Sequence, residues 1–397
     1  MGQEMAVDDS NIIGYVDPLV SSPGVKVAVK ISCKRNHFTS EVYRLKAGYG
    51  HKDAPPVSHE IIDAIGKDKH EGQPQSSRIG SYAEFGAWKG ALLNNINSLS
   101  IEFWCLATRP ADAGHEQYLF SSFDDKKSTG FECFLTTSGN LTLRCGGNSD
   151  TQETSLETRL HQDQWYRLTF TVEPQRGRIT LLALAEAKDL GNLNREHREE
   201  HLLSHPLVIA SEKPLIVAAD SRGSEVSSTP VQSSTFNGKI DGFLFKTISK
   251  GSSETLIDVD FSKGIQTDQI WDTTDTLCGR FINAPSRAMT GHDWDASNGD
   301  WRVAKYGYGA VHFHDDDLDD AGWNTSFEIQ LPSDLRSGCY GVHVDDGEST
   351  DIIPFFVRPD HTSSAAPPVA LIIPTFTYTG NSMLSQVVDE ESVSWYN

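Results

Sequence analysis

In Ser98-Leu99-Ser100-Ile101-Glu102-Phe103-Trp104-Cys105-Leu106-Ala107, the residues Leu99, Ile101, Phe103, Cys105 and Ala107 recur at every second position. Extended backbone sends successive side chains to opposite faces, so this stretch reads as a strand with one apolar face. The pattern continues downstream. Tyr118-Leu119-Phe120-Ser121-Ser122-Phe123, Gly130-Phe131-Glu132-Cys133-Phe134-Leu135, Leu141-Thr142-Leu143-Arg144-Cys145, Trp165-Tyr166-Arg167-Leu168-Thr169-Phe170-Thr171-Val172 and 179–184 each read as a short strand, with Gly, Ser and Asp between them. Short strands at regular spacing, separated by turn residues, indicate a sandwich or jelly roll.

The order of these strands, closed by Asn237-Gly238-Lys239-Ile240-Asp241-Gly242-Phe243-Leu244-Phe245, resembles a concanavalin-like, laminin-G-like jelly roll over residues 85–247. Asn-Gly and Asp-Gly are placed at tight turns that need positive φ, and the charged segment 189–205 at a surface helix or inserted loop. The domain is set at 76–250. Upstream, Val25-Lys26-Val27-Ala28-Val29-Lys30-Ile31 and Val42-Tyr43-Arg44-Leu45 are strands, and 51–75 is a polar connection with one short helix near 59–65. So small a sheet needs a partner. Downstream, Leu256-Ile257-Asp258-Val259-Asp260-Phe261, 325–331, 341–344 and 352–357 read as strands. Residues 11–55 and 255–359 are therefore expected to form one immunoglobulin-like sandwich into which the jelly roll is inserted. A Ser/Ala/Pro linker follows at 360–368. The continuous apolar run Val369-Ala370-Leu371-Ile372-Ile373-Pro374 then reads as a strand buried on both faces, the first of a truncated α/β domain at 369–397. The fold class is mainly β: a jelly roll and an immunoglobulin-like sandwich, with the opening strand of an α/β domain.

The 397 residues suggest two or three domains. A formal charge of -21, with no basic stripe, argues against nucleic acid and against anionic membrane surfaces. No apolar run reaches the roughly 18 residues of a membrane helix, and the polar, acidic first residues lack the basic start and apolar core of a secretory signal. A cytoplasmic location is the expectation. The six cysteines are widely spaced with no C-x-x-C pair, which argues against zinc and redox motifs.

Two segments carry the concentration of chemistry-bearing side chains. In Tyr308-Gly309-Ala310-Val311-His312-Phe313-His314-Asp315-Asp316-Asp317-Leu318, His312 and His314 alternate on one strand face, with Asp315 and Asp316 beside them. Imidazoles with carboxylates suit a transition metal. The favoured reading is a solvated strand end and turn whose Val311 and Phe313 face a core. In Thr290-Gly291-His292-Asp293-Trp294-Asp295, His292 and Trp294 line either a pocket or a loop packed on its own aromatics. Nucleophile-elbow, P-loop, Rossmann and H-E-x-x-H patterns are absent, and no catalytic residue is assigned.

The same segments carry a family resemblance. Asn283-Ala284-Pro285-Ser286-Arg287-Ala288-Met289-Thr290-Gly291-His292-Asp293-Trp294-Asp295, the 308–318 stretch, Leu331-Pro332-Ser333-Asp334-Leu335-Arg336-Ser337-Gly338-Cys339-Tyr340 and Pro354-Phe355-Phe356-Val357-Arg358-Pro359 resemble motifs of the N,N-dimethylformamidase large (beta) subunit-like family. Gly14-Tyr15, Ser22-Pro23-Gly24 and Tyr43-Arg44-Leu45 match its N-terminal strands, so the similarity spans nearly the whole chain, as the N-terminal portion of such a subunit.

The resemblance implies an amidase that hydrolyses N-substituted formamides to formate and an amine. It implies a mononuclear iron held by two tyrosines and a glutamate, a ferric Lewis acid acting on the amide carbonyl and on water. The implied partners are a small helical subunit and other large subunits. The iron ligands belong to the family's α/β half, of which Pro374-Thr375-Phe376-Thr377-Tyr378 is the one matching trace. Tyr378 is accordingly either an iron ligand or a buried strand-end aromatic. Thr379-Gly380-Asn381-Ser382-Met383 departs from the family pattern, and the second tyrosine and the glutamate have no counterparts. The expectation is a truncated, inactive chain that binds no iron and serves as scaffold and assembly surface. The other reading is a non-catalytic jelly-roll module that binds carbohydrate or protein.

Overall fold

The structure is a computed structural model. It describes residues 11–47, 56, 58–86, 97–147, 150–173, 176–186, 196–210, 212–221, 234–249, 252–359 and 372–373. Among them there is no α-helix. The chain divides into two compact units, one formed by residues 1–77 and 322–397, the other by 78–321.

The first unit opens with β1 (Ile12–Asp17), β2 (Val20–Ser21), β3 (Lys26–Cys33), β4 (His37–Ala47), β5 (Ser58–Ile61) and β6 (Lys67–Glu71). The second unit follows with β7 (Tyr82–Phe85), β8 (Ser98–Ala107), β9 (Gln117–Asp124), β10 (Thr129–Leu135), β11 (Asn140–Gly147), β12 (Thr151–Arg159), β13 (Trp165–Glu173), β14 (Arg178–Ala185) and β15 (Glu196–Leu202). It continues through β16 (Leu215–Val217), β17 (Gly238–Ser249), β18 (Ser252–Val259), β19 (Gln269–Trp271), β20 (Leu277–Ile282), β21 (Ser286–Met289) and β22 (Ala310–Phe313). The chain then returns to the first unit for β23 (Phe327–Gln330), β24 (Gly338–Asp345) and β25 (Thr350–Val357).

The first unit holds a three-stranded sheet, β1-β3-β23, and a second sheet in the order β2-β25-β24-β4-β5, with β6 also on β4. The alternation read in 25–31 is what builds its core. Val27, Val29 and Ile31 turn inward and pack with Phe38, Val42, Val342 and Phe355 from the other sheet. This is the β-sandwich expected of the immunoglobulin-like part.

The second unit is a jelly-roll-type sandwich of two eight-stranded sheets. One runs β12-β11-β10-β9-β16-β7-β20-β19; the other runs β15-β14-β13-β8-β17-β22-β21, with β18 on β17. Every described pairing in it is antiparallel. Leu99, Ile101, Phe103 and Cys105 of β8, with Phe170 and Phe243 of the strands beside it, face Phe120 and Phe131 of the other sheet. The outward positions of that strand, Glu102 and Trp104 among them, stay partly exposed.

Several expectations are corrected. The break placed at 250–255 does not occur, because β18 pairs with β17, β20 with β7, and β22 with β17. The segment 255–321 completes the jelly-roll sheets, and only β23 to β25 return to the immunoglobulin-like sandwich. Residues 59–65 are not helical: β5 pairs with the edge of β4, and only a turn at 63–65 remains. Part of the charged segment 189–205 is the edge strand β15, whose exposed charges suit an unpaired rim. Asp241-Gly242 is no hairpin turn but a bulge inside β17, with Gly242 at φ 65. Of the run expected as a buried parallel strand, 372 and 373 alone are described; neither is in a strand, and Ile372 is exposed. Tyr378 lies outside the described residues.

Candidate functional site

Apart from Tyr378, the sequence-predicted site residues gather in the second unit, around β22 and the long 290–309 connection. In β22, Val311 and Phe313 are fully buried, and His312 consequently points from the opposite face. Its cross-strand neighbour is Lys239 of β17, whose Nζ donates to Thr290 Oγ1 at 3.2 Å. Burial, then the charges of His314 and Lys239, push the His312 pKa down to about 4. Its Nε2 is buried and has no hydrogen-bond partner among the described residues.

His314 lies just past the strand, its ring centroid 3.9 Å from that of His312. It behaves oppositely. Its Nδ1 is 3.1 Å from Asp317 Oδ2, and this hydrogen bond raises its pKa against the effect of burial. The same Asp317 oxygen accepts from Ser81 Oγ at 2.6 Å, and Ser81 Oγ accepts from the His314 backbone N–H at 3.2 Å. The corner at 80–81 is thereby tied to 314–317. Asp315 turns away: its N–H donates to Asn237 Oδ1, and its carboxylate stands 3.9 Å from His115 Nε2 and 4.0 Å from Arg109. Asp316 is exposed. The residues grouped as HFHDDD therefore disperse into separate contacts, and no metal-type cluster forms there among the described residues.

His292 is positioned by a different set. Its ring stacks on Trp104 of β8 at 4.2 Å and 11°, with Trp165 of β13 edge-on at 6.4 Å. Its Nδ1 lies 2.7 Å from Asp241 Oδ2, and its backbone N–H donates to the same oxygen at 3.1 Å. The Asp241 side chain is 10% exposed. Glycines make room for it: a Cβ on Gly309 would stand 2.7 Å from Oδ1, and one on Gly291 would collide with Oδ2. The connection closes on itself through Gly291 N–H to Gly307 O at 2.9 Å and Tyr308 O–H to Asn298 O at 2.9 Å. Trp294, 38% exposed, forms the outer wall of this loop with Tyr306. The sequence pointed to His292 and Trp294 and missed Asp241, Trp104, Trp165, Asp317 and Ser81. The available signals were the apolar Trp104 at an outward position of β8 and a carboxylate directly before a glycine within a strand.

The donors collected here are imidazole and carboxylate. They do not match the two phenolates and one carboxylate of the implied iron.

These features define a β-sandwich protein with a jelly roll carrying histidine–carboxylate pairs on one sheet. The chain is similar to the N,N-dimethylformamidase beta subunit-like family. Residues 286–384 match the model described as "N,N-dimethylformamidase beta subunit-like, C-terminal". The N,N-dimethylformamidase beta subunit of Paracoccus aminophilus is 28% identical over 92% of this chain and 51% of its own length. That of an Alcaligenes species is 26% identical over 93% and 52%. The chain thus spans about half the length of the curated relatives it matches. Among solved structures, the LG1-3 region of the laminin alpha2 chain is similar with a TM-score of 0.32 at 8% identity, over 84% of this chain and 74% of that one.

Proposed function

We propose that this chain is the scaffold and assembly half of an N,N-dimethylformamidase-like amidohydrolase large subunit, for hydrolysis of N-substituted formamides. The observation that carries the reading is the extent of the match, nearly all of this chain against half of each relative. Each of its two sandwiches has its own extensive apolar core, as a scaffold requires. Iron, the small helical subunit and further large subunits belong to the complete assembly in this reading, and the chain alone hydrolyses no amide. Purified chain incubated with ferric iron and dimethylformamide should release no dimethylamine above the buffer rate. Stoichiometric iron uptake together with amine release would overturn the proposal.

A second reading has its own observation. The outward face of β13, β14 and β15 forms an open groove of about 660 Å³ lined by Thr169, Thr171, Glu173, Arg178, Thr180 and Arg198, with Arg178 ion-paired to Glu173 and Glu200, and Arg198 to Glu200. Hydroxyls beside ion-paired arginines and glutamates, donors and acceptors together, suit a polyhydroxylated ligand. Signal on a glycan array that Arg178→Ala abolishes would favour this binding role.

A further inference from the structure

We propose that Asp241, His292 and Asp293 form a binding site for a divalent first-row transition cation, with Zn2+ as the natural probe. Each offers one donor atom, and the three atoms lie within 4.8 Å of one another. Three protein donors of mixed nitrogen and oxygen type, with a position left for water, suit zinc at bond lengths of about 2.0–2.2 Å. Small rotations of Asp293 close the remaining distance.

Three further observations support a cation at this point. The two carboxylates converge on the same glycine. A Cβ on Gly291 would meet Asp241 Oδ2 and would stand 3.3 Å from Asp293 Oδ1, so the missing side chain leaves the space between them open. The charge is also uncompensated. Asp241 has His292 as its ion-pair partner, and Asp293 has no hydrogen-bond or ion-pair partner among the described residues. Asp241 is buried and Asp293 exposed, so the group is open to an ion from solvent, and two carboxylates against one imidazole give it the negative charge that attracts a cation. Finally, the imidazole is preset. Its stacking on Trp104 and the backbone N–H bond from His292 to Asp241 fix both donors before any ion arrives. The His292 Nδ1–Asp241 hydrogen bond is then the metal-free form of the site, a proton standing where the cation binds. A bound ion would clamp the 290–309 connection to β17 through three donors.

The test uses the full chain, stripped with chelator and titrated with ZnCl2 by calorimetry. One Zn2+ per chain is expected, with affinity weakening in acid because imidazole and carboxylates must shed their protons to bind. His292→Ala and Asp293→Asn should each weaken binding by at least about 10-fold. Exposed Asp319→Asn, outside the site, should leave it unchanged. Asp293→Asn is the decisive variant: it removes a carboxylate with no hydrogen bond to lose, so the fold, checked by circular dichroism, persists. Co2+ should also quench tryptophan fluorescence, and Asp293→Asn should weaken that quenching in step with the loss of binding. Failure to take up one equivalent, or equal uptake by the Asp293→Asn and unaltered chains, would show adventitious surface carboxylates only and overturn the site.

Discussion

His312 and His314 sit two residues apart and are driven to opposite protonation behaviour by their surroundings. His314 is held charged by Asp317, so its folded-state pKa lies above the unfolded value of about 6.5. The stability it contributes is complete below that unfolded value and is lost as pH rises through the folded one. His312 has the other sign. Buried and neutral, with its pKa pushed down to about 4, it favours the folded state at higher pH and loses that contribution as pH falls from about 6.5 toward about 4. Asp317→Asn removes the charge that holds His314 protonated. It should lower stability by about 1 kcal/mol at pH 5.5 and by clearly less at pH 8, measured by urea unfolding. Imidazole carbon shifts, assigned through single His→Gln variants, should place one titration above and one far below the ordinary histidine value. An equal loss at both pH values would mean that Asp317 acts through packing alone.

At the scale of elements, the segment around β21 shows how a short strand is kept in place. Asn283, Ala284 and Ala288 all have positive φ, a conformation that is unfavourable for residues carrying a Cβ. The surroundings hold it. Asn283 Nδ2 donates to the carbonyls of Arg78 and Gly80 at 2.8 and 2.9 Å. Arg287 donates to Thr267 O, Phe261 O and Lys263 O at 2.9–3.1 Å and lies over the Phe281 ring at 4.4 Å. Burial lowers its pKa to about 10. Arg287→Ala strands three carbonyls that a charged donor now satisfies and should cost about 2–3 kcal/mol. Arg287→Lys should recover less than half of this, since one ammonium cannot span the fork. Urea midpoints of the two variants and the unaltered chain decide the matter.

The same element marks where the sequence stops being readable. Strands with a deep apolar face, such as β3, β8 and β13, are legible because burial forces the period of two. The strands β5, β6 and β15 bury little and carry charges, so they leave no such trace. The strands β20 and β22 are short and pair with β7 and β17, far away in sequence, and no local pattern encodes that. The candidate site was legible to the extent of its histidines. Asp241 and Ser81 reach them only through pairing between distant strands.

At the scale of the whole molecule, where the jelly roll ends is a question about its core. All members of the large apolar cluster, from Ala83 to Phe313, lie within residues 78–321. Phe261, Phe281, Val311 and Phe313 are at most 4% exposed, and all follow residue 250. A fully buried side chain of this kind is worth about 2–3 kcal/mol. Their joint loss is therefore comparable with the entire stability of an ordinary domain, about 5–15 kcal/mol. A cut at 250 would also strip β22 and β18 from β17 and β20 from β7, opening hydrogen-bonding edges in the middle of both sheets. A fragment of residues 78–321 should accordingly unfold in one cooperative thermal transition and run as a compact species on gel filtration. A fragment of 76–250, the boundary suggested by strand order alone, should bind the dye ANS, lack a cooperative transition and aggregate. Cooperative melting of the shorter fragment would mean that 255–321 is an accessory layer and not part of the core.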